Sequence, residues 1–284
     1  MSLRFGYGLN GFTDHRLEDA LAVLADLGYD GVALTLDHAH LDPFAPDLAA
    51  RSARVAALLA RHGLGVVVET GARYVLDPRR KHEPTLVSHD GRDRRIDLLE
   101  RAIRVAAEVG SPVVSFWSGI APAGVSHAEL WSRVEDAVAR LLPVAEAHGI
   151  VLALEPEPGM FVERIADFHE LRRRLGDPDR LRLTIDVGHL RCTEDADPDA
   201  CVLGAGDLVA NVQIDDMRRG VHEHLPLGEG EVDFPSVLAA LAAVEFDGLV
   251  AVELPRHSHA APALAASSLE FLHHAARRPQ EVGR

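Results

Sequence analysis

Short apolar runs and longer amphipathic segments alternate along the whole chain. The runs at 5–9, 31–36, 65–70, 113–117, 151–155, 181–186, 208–214 and 249–254 are rich in Val, Leu, Ile and Phe, as suits strands buried on both faces. Each is followed by a stretch whose apolar positions have helical spacing: 17–27, 47–62, 94–109, 127–148, 165–175, 198–203 (short enough for helix or loop), 234–244 and 261–276. Gly28, Gly63, Gly110, Gly149 and Gly176 stop five of them, as glycine does at helix C-termini. Eight such units predict a parallel sheet with helices outside it. At about 30 to 40 residues each, they favour closure into a (β/α)₈ TIM barrel over an open sheet. No linker or shift of composition divides the chain, so a single domain is expected over 1–276, with 277–284 as a flexible tail.

Two connections are longer than closure requires. One, 71–93, carries Arg73, Tyr74, Arg79, Arg80, Lys81, His82 and His89; the other is 215–233. Both leave the carboxyl ends of strands, the face on which barrel active sites are built, and both read as binding loops or lids. The strand ends themselves are polar. Glu155 closes the fifth run, Asp186 the sixth, Gln213 lies at the end of the seventh and Glu253 closes the eighth. Strands buried on both faces have no ordinary use for acids, and three carboxylates on one arc of a barrel mouth repel unless a cation sits among them. Hard oxygen donors suit Mg²⁺ or Mn²⁺; Mn²⁺, Co²⁺ or Zn²⁺ become suitable where a histidine joins.

Composition narrows the partners. The formal charge of −15 gives no electrostatic footprint for nucleic acid. No stretch approaches the roughly 20 apolar residues of a membrane span, and Met1-Ser2-Leu3-Arg4 has no apolar signal region, so a cytoplasmic location is expected. Two cysteines, Cys192 and Cys201, make no disulfide framework. A homo-oligomer is admissible.

The segments Leu154-Glu155-Pro156 and Asp186-Val187-Gly188-His189, with the run from Gly228 through Glu229-Gly230-Glu231-Val232-Asp233 to Phe234, resemble those of xylose-isomerase-like barrels. The resemblance covers nearly the whole chain in strand order and is strongest over 150–255. That family includes ketose 3-epimerases, inosose dehydratases, hydroxypyruvate isomerases and, more distantly, apurinic-site endonucleases. The resemblance implies one divalent metal, Mn²⁺ or Mg²⁺, held by Glu155, Asp186, Gln213 and Glu253. Many members have histidine at this position; Gln213 is instead similar to the hydroxypyruvate isomerase branch, and an amide oxygen there favours Mg²⁺ or Mn²⁺ over Zn²⁺.

The resemblance further implies proton transfer next to the carbonyl of a sugar or small hydroxy-keto acid, with Glu155 and Glu253 as acid and base and His189 as a substrate contact. Arg218 and His222 fit hydroxyl or carboxylate recognition, and His38, Glu69 and Trp117 complete the expected wall. His222 and His224 are spaced for either a second metal or the substrate. After the eighth run, Leu254-Pro255-Arg256-His257-Ser258 lacks the glycine turn of a phosphate grip, so an unphosphorylated sugar, an inositol or a hydroxy-keto acid is expected. The alternatives are an apurinic-site endonuclease, disfavoured by the acidity and by Gln213, and a barrel that only binds a ligand.

Overall fold

Each of the eight apolar runs forms a strand in the computed structural model, which describes residues 3–71 and 73–277. β1 (Arg4–Gly8), β2 (Gly31–Thr35), β3 (Gly65–Glu69), β4 (Val113–Phe116), β5 (Val151–Leu154), β6 (Leu181–Asp186) and β7 (Val209–Ile214) are followed by a hairpin of β8 (Asp216–Arg218) and β9 (Val221–Leu225). The last barrel strand is β10 (Leu249–Val252). β1 to β7 and β10 close into a barrel, each strand parallel to its neighbours, with β10 between β7 and β1. The chain is therefore the expected single-domain (β/α)₈ barrel.

Helices α1 (Leu17–Leu27), α2 (Leu48–His62), α3 (Arg92–Val109), α4 (His127–His148), α5 (Ile165–Arg174), α6 (Val187–Thr193), α7 (Pro198–Ala205), α8 (Phe234–Ala243) and α9 (Ala261–Arg277) surround it. Apart from Arg277, which ends α9, the expected tail lies outside the described residues. No described helix is long and apolar enough to cross a membrane.

The main core lies between sheet and helices, where Val66, Val114, Leu152 and Ile185 meet Leu99, Leu141, Phe168 and Leu272. Burying each such side chain contributes roughly 1.5 to 3 kcal/mol. The barrel interior is separate and small. Ala33, Val67, Leu249 and Ala251 form its apolar plug. Close strand approach explains the small residues: a Cβ on Gly31 would stand 2.6 Å from the Gly65 carbonyl oxygen and 2.6 Å from Leu249 Cδ1. Above the plug the interior turns polar, with Ser115 Oγ 2.9 Å from Thr184 Oγ1 and Asn211 beside them. Side chains alternate faces with period two, so continuing inward from Ala251, Val67, Ala153 and Thr184 places Glu253, Glu69, Glu155 and Asp186 around the mouth.

Two elements escaped the periodicity. α6 starts directly from Asp186, whose Oδ1 accepts from the His189 backbone N–H at 2.9 Å; a seven-residue helix is too short to show a period. The β8–β9 hairpin is written in polar residues around Gly220. The 71–91 connection has no helix or strand among its described residues, yet it is not a solvated excursion. Leu76, Thr85, Leu86, Val87 and Ser88 are buried, and Arg133 donates to the carbonyls of Val87 and Ser88 at 2.7 and 3.0 Å.

Candidate active site

A cavity of about 410 Å³ opens at the carboxyl ends of the strands, within the size range of small-molecule sites. Its floor is acidic. Oxygen atoms of Glu155, Asp186 and Glu253 lie within 4.8 Å of one another, close enough for one ion. Each carboxylate arrives from a different strand, and each has a distinct second contact. Asp186 spends Oδ1 capping α6 and leaves Oδ2 buried without a hydrogen-bond partner. Glu253 Oε1 accepts from Asn10 Nδ2 at 2.7 Å. Glu155 Oε1 stands 3.2 Å from His189 Nδ1.

Gln213 completes the set. Its Nε2 donates to Glu69 Oε1 at 3.1 Å and to Glu253 Oε2, which satisfies both amide hydrogens and leaves Oε1 buried and unpartnered. The opposite amide orientation would aim an oxygen at two carboxylates, so the acids fix which atom faces inward. An orphaned amide oxygen and an orphaned carboxylate oxygen beside two further carboxylates match the donor set of a hard divalent cation, so the residues present fit one.

Electrostatics tell the same story. Burial, then its acidic neighbours Glu69, Glu155 and Asp186, pushes the Glu253 carboxyl well above the usual range. Burial raises Glu155 too, against the pull of His189. Glu69 rises to about 7, through burial and the nearby Asp186. Glu157 rises to about 8, through burial first and then Glu155 and Asp186. Burial also opposes a charged Asp186, but His189, through its charge and its backbone N–H, is the main influence that outweighs it and holds that carboxylate below its ordinary value. His189 is the converse: burial disfavours its charge, while Asp186, Glu157 and Glu155 drive it well above the ordinary imidazole value. A cluster with this many acids draws positive charge into itself.

The hairpin brings two more imidazoles. His222 and His224 have ring centroids 4.9 and 5.7 Å from that of His189, and the three offer nitrogen atoms within 4.8 Å of one another. Burial lowers them to about 4 and about 3, so both are neutral donors near neutral pH. His224 Nδ1 contacts Asp215, a buried acid pushed well above its usual range by desolvation and by Asp186.

Of the residues expected from sequence, Glu155, Gln213, Glu253, His189, His222, Glu69 and Trp117 line the cavity, and Asp186 adjoins it beneath His189. His38 and Arg218 do not line it. His38 is exposed, 3.5 Å from Asp42, because β2 ends at Thr35 and the chain has already turned away. Arg218 is held outside by Glu223 at 2.7 Å and the Glu229 carbonyl at 3.1 Å. Asn10, Thr35 and Glu157 line the cavity without having been singled out. Asn10, a polar residue just after β1, was the available signal, near the strand-end position that identified the acids.

The model of the family described as xylose isomerase-like TIM barrel matches residues 21–274. The L-ribulose-5-phosphate 3-epimerase UlaE of Salmonella paratyphi C is 25% identical over 239 residues, covering 83% of this chain and 81% of its own. Among solved structures, the D-allulose 3-epimerase of Methylomonas sp. in complex with D-allulose superposes with a TM-score of 0.75 at 22% identity, covering 96% of this chain and 97% of that one. The IOLI protein with a bound zinc atom superposes at 0.73 and 16% identity, over 97% of this chain and 100% of its own. At these identities the two structures speak for the fold alone.

Proposed function

Because the chain belongs to the xylose isomerase-like TIM barrel family, we propose that it is a divalent-metal-dependent epimerase or isomerase acting next to the carbonyl of a sugar or sugar-like hydroxyketone. The observation that carries this reading is the convergence of three carboxylates on one point, with unpartnered oxygen atoms of Asp186 and Gln213 beside it. The named epimerase relative is consistent with it. Glu155, Asp186, Gln213 and Glu253 would hold the ion. Bound there, a Mn²⁺ or Mg²⁺ ion would supply stabilisation for negative charge developing on the carbonyl oxygen.

The protein's own residues supply the rest. Glu155 and Glu253 enter from β5 and β10, on different sides of the cavity, so one carboxylate takes the proton from carbon and the other returns it. Epimerisation follows when removal and return occur on opposite faces. His189, in reach of Glu155 and Asp186, holds a substrate oxygen through a ring N–H. Glu69 and Asn10 orient Gln213 and Glu253 by the hydrogen bonds above. Incubating the purified, metal-supplemented protein with a ketose panel in D₂O tests the reaction: deuterium enters at the carbon next to the carbonyl and an epimer accumulates. A panel without exchange would sink the reading.

Metal dependence has its own measurement. Mn²⁺ at 100 times its Kd stabilises the fold by about 2.7 kcal/mol, so Tm rises by roughly 5 °C or more and falls back on chelation. An unchanged Tm with Mn²⁺ counts against the site.

Gln213 gives a finer test. Gln213→Leu lowers Mn²⁺ affinity about 10- to 100-fold, the size seen when metal-site partners are lost, and Gln213→His shifts preference toward Zn²⁺ or Co²⁺. Equal Mn²⁺ affinity in the leucine variant, by calorimetry, would remove Gln213 from the donor set.

A further inference from the structure

The cavity with an acidic floor has a cationic wall. Arg73 and Lys81 come from the connection after β3 and Arg256 from the segment after β10, and all three line the cavity. Around the mouth Arg80 is paired with Asp77 and Arg218 with Glu223, while Arg79 is exposed and does not line the cavity. Among the described residues, Arg73, Lys81 and Arg256 form no ion pair. Arg73 is fixed instead by donating to the carbonyls of Asn10 and Pro255 at 3.2 and 3.1 Å, which joins the two loops. Behind them Arg95 is fully buried, stacked over Trp117 at 4.0 Å and donating to the Thr70 carbonyl at 2.9 Å.

The positive field is felt by its members. Desolvation, then Arg73 and Arg256, holds the Lys81 ammonium below the ordinary lysine value, with Glu157 opposing. Burial, then Lys81, Arg95 and Arg73, presses His82 down to about 4. Concentrating unpaired cations costs free energy through mutual repulsion, and in a chain of net charge −15 surface acids for pairing are plentiful. Of 29 basic residues, Lys81 is the only lysine. Its ammonium is a compact point charge with three donors, suited to a small anionic oxygen group.

We propose that Arg73, Lys81 and Arg256 receive an anionic group of the substrate, a carboxylate or a phosphate, remote from the carbon that reacts at the acidic floor. The assignment of a reacting carbon rests on the epimerase reading; recognition of the anion does not. Side chains here replace the glycine turn whose absence after β10 pointed to an unphosphorylated substrate. The acidic floor would repel such a group, so floor and wall together orient a substrate with one charged end.

The single lysine makes the test direct. The protein is treated with N-hydroxysuccinimidyl acetate, and acetylation of Lys81 is followed by mass spectrometry, with the α-amino group as internal control. Inorganic phosphate, D-glycerate and neutral glycerol are added in turn at constant ionic strength. Phosphate or glycerate is expected to slow acetylation of Lys81 severalfold with the α-amino rate unchanged, while glycerol does nothing. Protection by only one of them identifies the group. In Arg256→Gln, whose side chain is exposed and free of hydrogen bonds to other described residues, the protecting concentration rises about tenfold. Absence of protection by either anion, equal protection by glycerol, or unaltered protection in Arg256→Gln overturns the proposal. None of these outcomes depends on turnover: protection without deuterium exchange on any ketose sinks the epimerase reading and leaves the wall, whereas exchange on neutral ketoses without protection does the reverse.

Discussion

Glu155→Gln and Glu253→Gln each lower turnover by about 10²- to 10⁴-fold, the range of a general acid or base. Both side chains keep their volume, and an amide oxygen remains to face the other donors. The fold is not expected to suffer. Each carboxyl is a buried acid among acids, Glu253 beside Glu69, Glu155 and Asp186, so a neutral group there relieves repulsion and Tm holds or rises. Loss of activity with retained or increased stability is the signature of a residue kept for chemistry. The two variants also differ by face: with one carboxylate removed, the other still exchanges the substrate proton on its own side in D₂O without completing epimerisation. Near-normal turnover in both would move the proton-transfer role to His189.

Asp216→Ala lowers stability by about 3 to 5 kcal/mol, a fall in Tm of roughly 10 °C. This buried carboxylate accepts three backbone N–H groups: Gly228 at 2.9 Å and Gly230 at 2.8 Å on Oδ2, and Val232 at 3.0 Å on Oδ1. Alanine leaves three donors without an acceptor. Asp216→Asn keeps the shape and part of the acceptor capacity and costs less. The loss spreads to function, because the segment held by Asp216 packs beneath the hairpin that delivers His222 and His224: Glu231 N–H donates to the Met217 carbonyl at 3.0 Å. Hydrogen exchange over 216–232 therefore accelerates in the alanine variant before the barrel strands are affected. Wild-type protection in that segment would show that Asp216 does not organise it.

This geometry also explains why the run from Gly228 to Phe234 stands out in the sequence. A Cβ on Gly230 would lie 2.3 Å from Asp216 Oδ1, so glycine lets the backbone close around the carboxylate. Three residues later Asp233 caps α8 by accepting from Ser236 N–H at 3.4 Å. The motif is a wrapped anion followed by a helix start, and its residues serve architecture more than chemistry.

The alternation of apolar runs with amphipathic segments determined the barrel, because burial on both faces and the 3.6-residue period act locally and leave their mark in every unit. The four polar strand ends were legible for a related reason. A polar residue closing an apolar strand is an anomaly visible without coordinates, and in a barrel all such ends share one rim. Other decisions belonged to tertiary structure alone. His38 and Arg218 have suitable chemistry at suitable places in the chain, but where a side chain points after a strand ends depends on how the loop packs: β2 stops at Thr35, and Glu223 holds Arg218 outside. The unpartnered oxygens of Asp186 and Gln213 exist only because neighbours from α6, β3 and β10 satisfy the remaining atoms. The cationic wall is likewise invisible in one dimension. Lys81 and Arg256 lie 175 positions apart, and their nearness to one cavity follows from closure of the barrel, which sets β10 against β1 and brings the end of the chain beside its beginning.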